Sequence, residues 1–224
     1  MIKKIYSSNN LLNNCLISSI AHAFAVARYP IISHEQSWDG YNYCFQMSNV
    51  RGTVSFKDFE KSTAVCALRN EASPRIRDFP YINAIDLFKD APELIREIAK
   101  ADTLEYLYDS VDGVDMPVAT TAFWSEGDFL FSCDEKKEFE AHGGEEIDFL
   151  FLSEENLLQY WKESYSLSEN SFEALMAIYN QKKLNPMKAL TMKKEQLLHI
   201  VGYDATLDEC IESLSEISVR MIDS

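Results

Sequence analysis

The sequence predicts an α+β protein with an antiparallel or mixed sheet, helices segregated to one side, and a helical C-terminal third. Three observations carry that expectation. Leu12, Leu16, Ile20 and Phe24 recur every fourth residue, which is helical spacing; Tyr41, Tyr43, Phe45 and Met47 alternate with Asn42, Cys44 and Gln46, which is strand spacing. Helical spacing then dominates the last third, and no regular strand–helix–strand alternation appears, which disfavours a doubly wound sheet. At 224 residues, one core can serve the whole chain, so residues 1–224 are expected to form a single domain.

Taken in order, Asn13-Asn14 is expected to cap the first helix, which Pro30 stops. The strand from Trp38 onward leads through a turn, at Ser48-Asn49 or Arg51-Gly52, into Thr53 to Phe56. Thr63 to Leu68 adds a third β-like run, giving an antiparallel meander. Ala84 to Val111 returns to helical spacing, with Asp102-Thr103 as a break between two helices. Val118 to Trp124 and Phe129 to Cys133 flank Ser125-Glu126-Gly127-Asp128 as a β-hairpin. Ile147 to Leu152 is an apolar run suited to a central strand. Ser153, followed by Glu154 and Glu155, opens the first C-terminal helix. Phe172 to Tyr179 marks a second, Gly202 suits a helix end, and Thr206 to Glu209 matches a capping box.

Composition narrows the function. Thirty-six acidic residues against 21 basic ones leave a formal charge of −15. Such a surface repels phosphate backbones and anionic lipids, so neither nucleic acid nor membrane is expected as a partner, whereas a basic protein would be attracted. The five cysteines are scattered and never form a CxxC pair, which predicts reduced thiols in a cytoplasmic protein and neither a disulfide framework nor a zinc knuckle. Gly143-Gly144 lacks the context of a phosphate-binding loop, and no cofactor or metal is expected. Glu138 and His142 stand four apart and can share a helical face, but a metal site wants a further nitrogen or sulfur ligand at fixed spacing. The acidic stretch Asp134 to Asp148 reads as a solvated loop.

Two sets of residues carry functional readings. Trp38, Asp39, Asn42 and Arg51 form a candidate binding set, because a large aromatic, an Asp-Gly turn and an arginine fork are residue types that anchor interfaces. Asn14-Cys15-Leu16-Ile17-Ser18-Ser19-Ile20 resembles in outline the start of papain-like hydrolases, where a nucleophilic cysteine opens an apolar helix. That resemblance implies Cys15 as nucleophile and His199 as base, although no tryptophan or asparagine motif follows His199. His22 shares the Cys15 face but lies about 10 Å along a helix, beyond a direct hydrogen bond. The expectation is an acidic binding protein, of inhibitor or immunity type, for a basic partner. A cysteine hydrolase and a non-catalytic scaffold subunit are the alternatives.

Overall fold

The computed structural model describes residues 3–7, 10–29, 32, 34–57, 63–77 and 83–222. In chain order, the first elements are β1 (Lys3–Ser7), α1 (Leu11–Arg28), β2 (Glu35–Asp39), β3 (Asn42–Met47), β4 (Val50–Phe56), β5 (Ala64–Asn70), α2 (Pro74–Arg77) and α3 (Glu93–Ala101). Then follow β6 (Tyr108–Val111), β7 (Val114–Pro117), β8 (Thr121–Glu126), β9 (Phe129–Ser132), α4 (Lys136–Phe139), α5 (Glu154–Ser164) and α6 (Glu169–Lys182). The last are β10 (Leu190–Lys193), α7 (Lys194–Val201), α8 (Leu207–Glu216) and β11 (Val219–Ile222). The fold is α+β, with a large antiparallel sheet and helices in the C-terminal part. Two compact units emerge, each drawn from two stretches of chain: Met1–Asn9 with Tyr41–Phe151, and Asn10–Gly40 with Leu152–Ser224.

The first unit is built on antiparallel strands in the order β1-β9-β8-β5-β4-β3. The meander is present, and its turn falls at Ser48-Asn49. Tyr43, Phe45 and Met47 are buried while Gln46 is exposed, so the alternation in the sequence is the alternation in space. Gly52 allows β3 and β5 to flank β4 closely: a Cβ there would lie 2.6 Å from the Phe45 ring and 2.7 Å from a Leu68 methyl. One sheet face, through Val65, Ala67, Ala122 and Trp124, packs on Leu87, Phe88, Ile95, Ile98 and Leu104 from α3 and the 3-10 turns at Ala84–Phe88 and Thr103–Leu107. On the other, Phe45 meets Phe149, and Phe123 meets Phe139 and Phe151 edge to face.

Three sequence expectations change here. Ile147 to Leu152 is not a central strand: Glu145–Phe151 forms a 3-10 run whose Ile147, Phe149 and Leu150 are buried, while interleaved Glu145, Glu146 and Asp148 turn outward to different degrees. An apolar run fits a buried face of either geometry, so periodicity alone does not decide it. Asp134 to Asp148 is not a solvated loop, because α4 and the helical turn at Glu140–Gly144 bury Phe139 and His142. The helical reading stops short of Val111, since β6 and β7 pair as a hairpin around Asp112-Gly113, with φ of 52° and 80°. Asp-Gly is a strong signal for a turn with two positive φ angles, and it overrides the helical spacing before it.

The second unit is organised around α1, in which every residue from Asn14 to Ala27 is buried. A helix hydrophobic all round belongs in a core, but this one carries a polar stripe that needs partners. The Trp161 indole N–H donates to Ser18 Oγ at 2.8 Å, and the Trp38 indole N–H donates to Ser19 Oγ at 2.6 Å. Trp161 stacks on Tyr165 at 4.7 Å, and the Tyr165 hydroxyl lies 3.4 Å from His22 Nδ1. Ser153 caps α5 by accepting from the Asn156 N–H, and Ser168 caps α6 by accepting from Ser171. The short parallel pair β10 and β11 was not foreseen.

Candidate functional site

The second unit holds a cavity of about 310 Å³ lined by His22, Val26, Ile32, His34, Glu35, Gln36, Ser37, Glu209, Glu212, Ser213 and Glu216. Its chemistry follows from α8. Leu207, Cys210 and Leu214 are buried, which leaves Glu209, Glu212 and Glu216, at spacings of three and four, on the same opposite face. The Thr206 side chain makes no cap hydrogen bond, so Glu209 belongs to the pocket wall and the capping box read from the sequence does not form. No lysine or arginine among the described residues lines the cavity. Among the described residues, none of its four glutamates forms an ion pair.

Burial pushes the Glu216 carboxyl above its ordinary range; the Trp38 N–H, donating to Oε2 at 2.8 Å, opposes this, while Glu212 and Asp39 add to it by repulsion. Burial, with a smaller contribution from His34, holds the His22 imidazole down at about 4. His34 is also lowered by burial. The cavity therefore presents crowded carboxylates beside histidines that stay neutral, and a cation entering it would relieve that repulsion.

Trp38 and Asp39 belong to this unit, and Asn42 and Arg51 to the other. Trp38 is 6% exposed: it is a wall of the core, tied to Ser19 and Glu216, rather than a surface anchor. Asp39 is exposed and adds to the negative field at Glu216. Asn42 donates to the Tyr106 hydroxyl at 3.3 Å. Arg51 lies on β4 opposite Gln46 and Arg69, four strand positions from the level of Asn42, so these two do not converge. Cys15 is 0% exposed and sits in the second turn of α1, because the helix starts at Leu11 rather than at the expected Asn13-Asn14 cap. Asn14 instead donates to the Leu152 carbonyl at 2.9 Å. His199 lies on the exposed side of the last turn of α7.

One constellation escaped the sequence reading in part. Ser73 Oγ lies 2.7 Å from His142 Nδ1, and His142 Nε2 lies 3.4 Å from Glu138 Oε2, so the four-residue spacing of Glu138 and His142 does place them together. Serine, histidine and carboxylate in this order have the connectivity of a nucleophile triad. Ser73, however, is 1% exposed and also accepts from the Arg75 N–H. Arg75 in turn pairs with Asp134 at 2.8 Å, and Thr121 donates to the same carboxylate. The group thus ties α2 to the helical turns of the first unit, with Ser73 and His142 buried and the Glu138 carboxylate open to solvent.

Among the described residues, no helix is long and apolar enough to cross a membrane, and no group of three or more His, Cys, Asp or Glu side chains is placed to hold a metal ion. Comparison with protein-family models, curated proteins and solved structures finds no match to this chain.

Proposed function

We propose that this is a protein-binding protein of inhibitor or immunity type, which engages a basic partner and receives a lysine or arginine side chain in the glutamate-lined cavity of the second unit. The supporting observation is that four glutamates line one cavity without a cationic residue or an ion pair among the described residues. The overall charge of −15 supplies long-range attraction, and such attraction speeds association and makes it sensitive to salt. The full burial of Cys15 and the exposed position of His199 weigh against the thiol-hydrolase alternative, since a nucleophile must reach its substrate.

The test is immobilisation of the full chain beside a Glu209→Gln, Glu212→Gln, Glu216→Gln triple variant, with elution of bound proteins by rising salt. A basic protein held by the parent chain, released as salt rises and missing from the variant, is the expected result. An identical bound set on both, or one indifferent to salt, would sink the reading.

A further inference from the structure

The first unit contains a second polar cavity, of about 300 Å³, whose chemistry is opposite in sign and independent of the reading above. Its floor is a row across three strands, Gln46 on β3, Arg51 on β4 and Arg69 on β5, which are direct neighbours in register and therefore share one sheet face. Two arginines facing each other across a strand pair repel. Arg69 is compensated: its Nε lies 2.7 Å from Glu71 Oε1, and a terminal nitrogen donates to Asp109. Arg51 is not. It forms no ion pair with a described residue and feels Asp109 only through space; its Nε, like that of Arg69, is sealed from water with no hydrogen-bond partner.

We propose that this cavity binds a free α-amino acid, with its carboxylate on the Arg51 guanidinium and its ammonium on the carboxylates of Asp109 and Glu71. Arg51 lines the cavity without an ion-pair partner of its own among the described residues, and a planar guanidinium fork is suited to a carboxylate. The four charged walls, two arginines and two carboxylates, sum to zero, so a dianion such as phosphate gains at Arg51 what it loses at Asp109 and Glu71, whereas a zwitterion aligned with the two poles gains at both ends. Glu71 and Asp109 retain solvent-facing surface, their side chains being 49% and 43% exposed. Asn49 and Gln46 add neutral polar groups to the wall, and the volume lies at the small end of ligand cavities.

Calorimetric titration of the full chain with each of the twenty amino acids, inorganic phosphate, and the N-acetyl and carboxamide forms of any ligand found, tests this. Saturable binding by one amino acid or a few is expected, weakened by at least about tenfold when either end is blocked, and by at least about tenfold in Arg51→Lys, which keeps the charge but loses the fork. Arg51→Gln is expected to lose binding, with circular dichroism confirming its fold. Absence of binding by any amino acid up to about 10 mM, equal binding of the blocked forms, tighter binding of phosphate, or unchanged affinity in Arg51→Lys would each overturn the assignment. The blocked ligands act on the parent protein, so a variant that fails to fold does not stall the test.

Discussion

The two units solve the problem of buried polarity in opposite ways. In the second, hydroxyls on the central helix are satisfied by aromatic donors: Ser18 by Trp161, Ser19 by Trp38. In the first, charged groups are matched with charged groups, Arg75 with Asp134 and Arg69 with Glu71 and Asp109. The difference teaches where each unit is vulnerable. An indole supplies both the hydrogen bond and most of the packing, so a single truncation removes two contributions at once. The sheet of the first unit instead depends on close strand approach at positions such as Gly52, where added volume is the threat.

Trp161→Ala sets the upper end of this contrast. It should cost about 3–5 kcal/mol in urea unfolding, the range for emptying a buried aromatic site, while Trp161→Phe should cost only about 1–3 kcal/mol for the unpartnered Ser18 hydroxyl. Equal losses for the two variants would show that the hydrogen bond to Ser18, and not the packing of the ring, decides stability at this position. Next in size is acidification. His22 is held at about 4 in the folded chain and titrates near about 6.5 when unfolded. Its contribution is fully present above the unfolded value and is lost as pH falls through the folded one, by about 3 kcal/mol at most. His22→Gln should flatten stability between those two pH values, measured by unfolding at stepped pH; an unaltered slope would contradict the assignment. Smallest is Gly52→Ala, where one methyl meets Phe45 and Leu68 and should cost about 1–3 kcal/mol by overpacking. Phe45→Leu in the same chain should recover part of that loss if the clash is with the ring.

Much of the local structure was legible because its causes are local. The β3-β4-β5 meander follows from alternation broken by Ser48-Asn49, the β8-β9 hairpin from Gly127, which adopts φ of 59°, and the start of α5 from Ser153 before two glutamates. The second hairpin was equally available in Asp112-Gly113, where helical spacing upstream outweighed the turn signal. The candidate site was less legible. Trp38 and Arg51 stood out as residue types that anchor interfaces, yet Trp38 is drawn into the core by Ser19, and Arg51 is left without a direct ion pair among the described residues because Arg69 takes both carboxylates. Those outcomes depend on which acceptors the fold delivers.

The sequence by itself determined the α+β class, the negative charge, and most of the strand and helix positions, since these rest on periodicity, capping and turn chemistry within a few residues. Only the tertiary structure decided that residues 10–40 and 152–224 form one unit, that β10 pairs in parallel with β11 across 25 intervening residues, and that Glu35 joins Glu209, Glu212 and Glu216 around one cavity. Contacts between distant segments are selected by shape and partner availability in the folded chain, and neither quantity is written in the local order of residues.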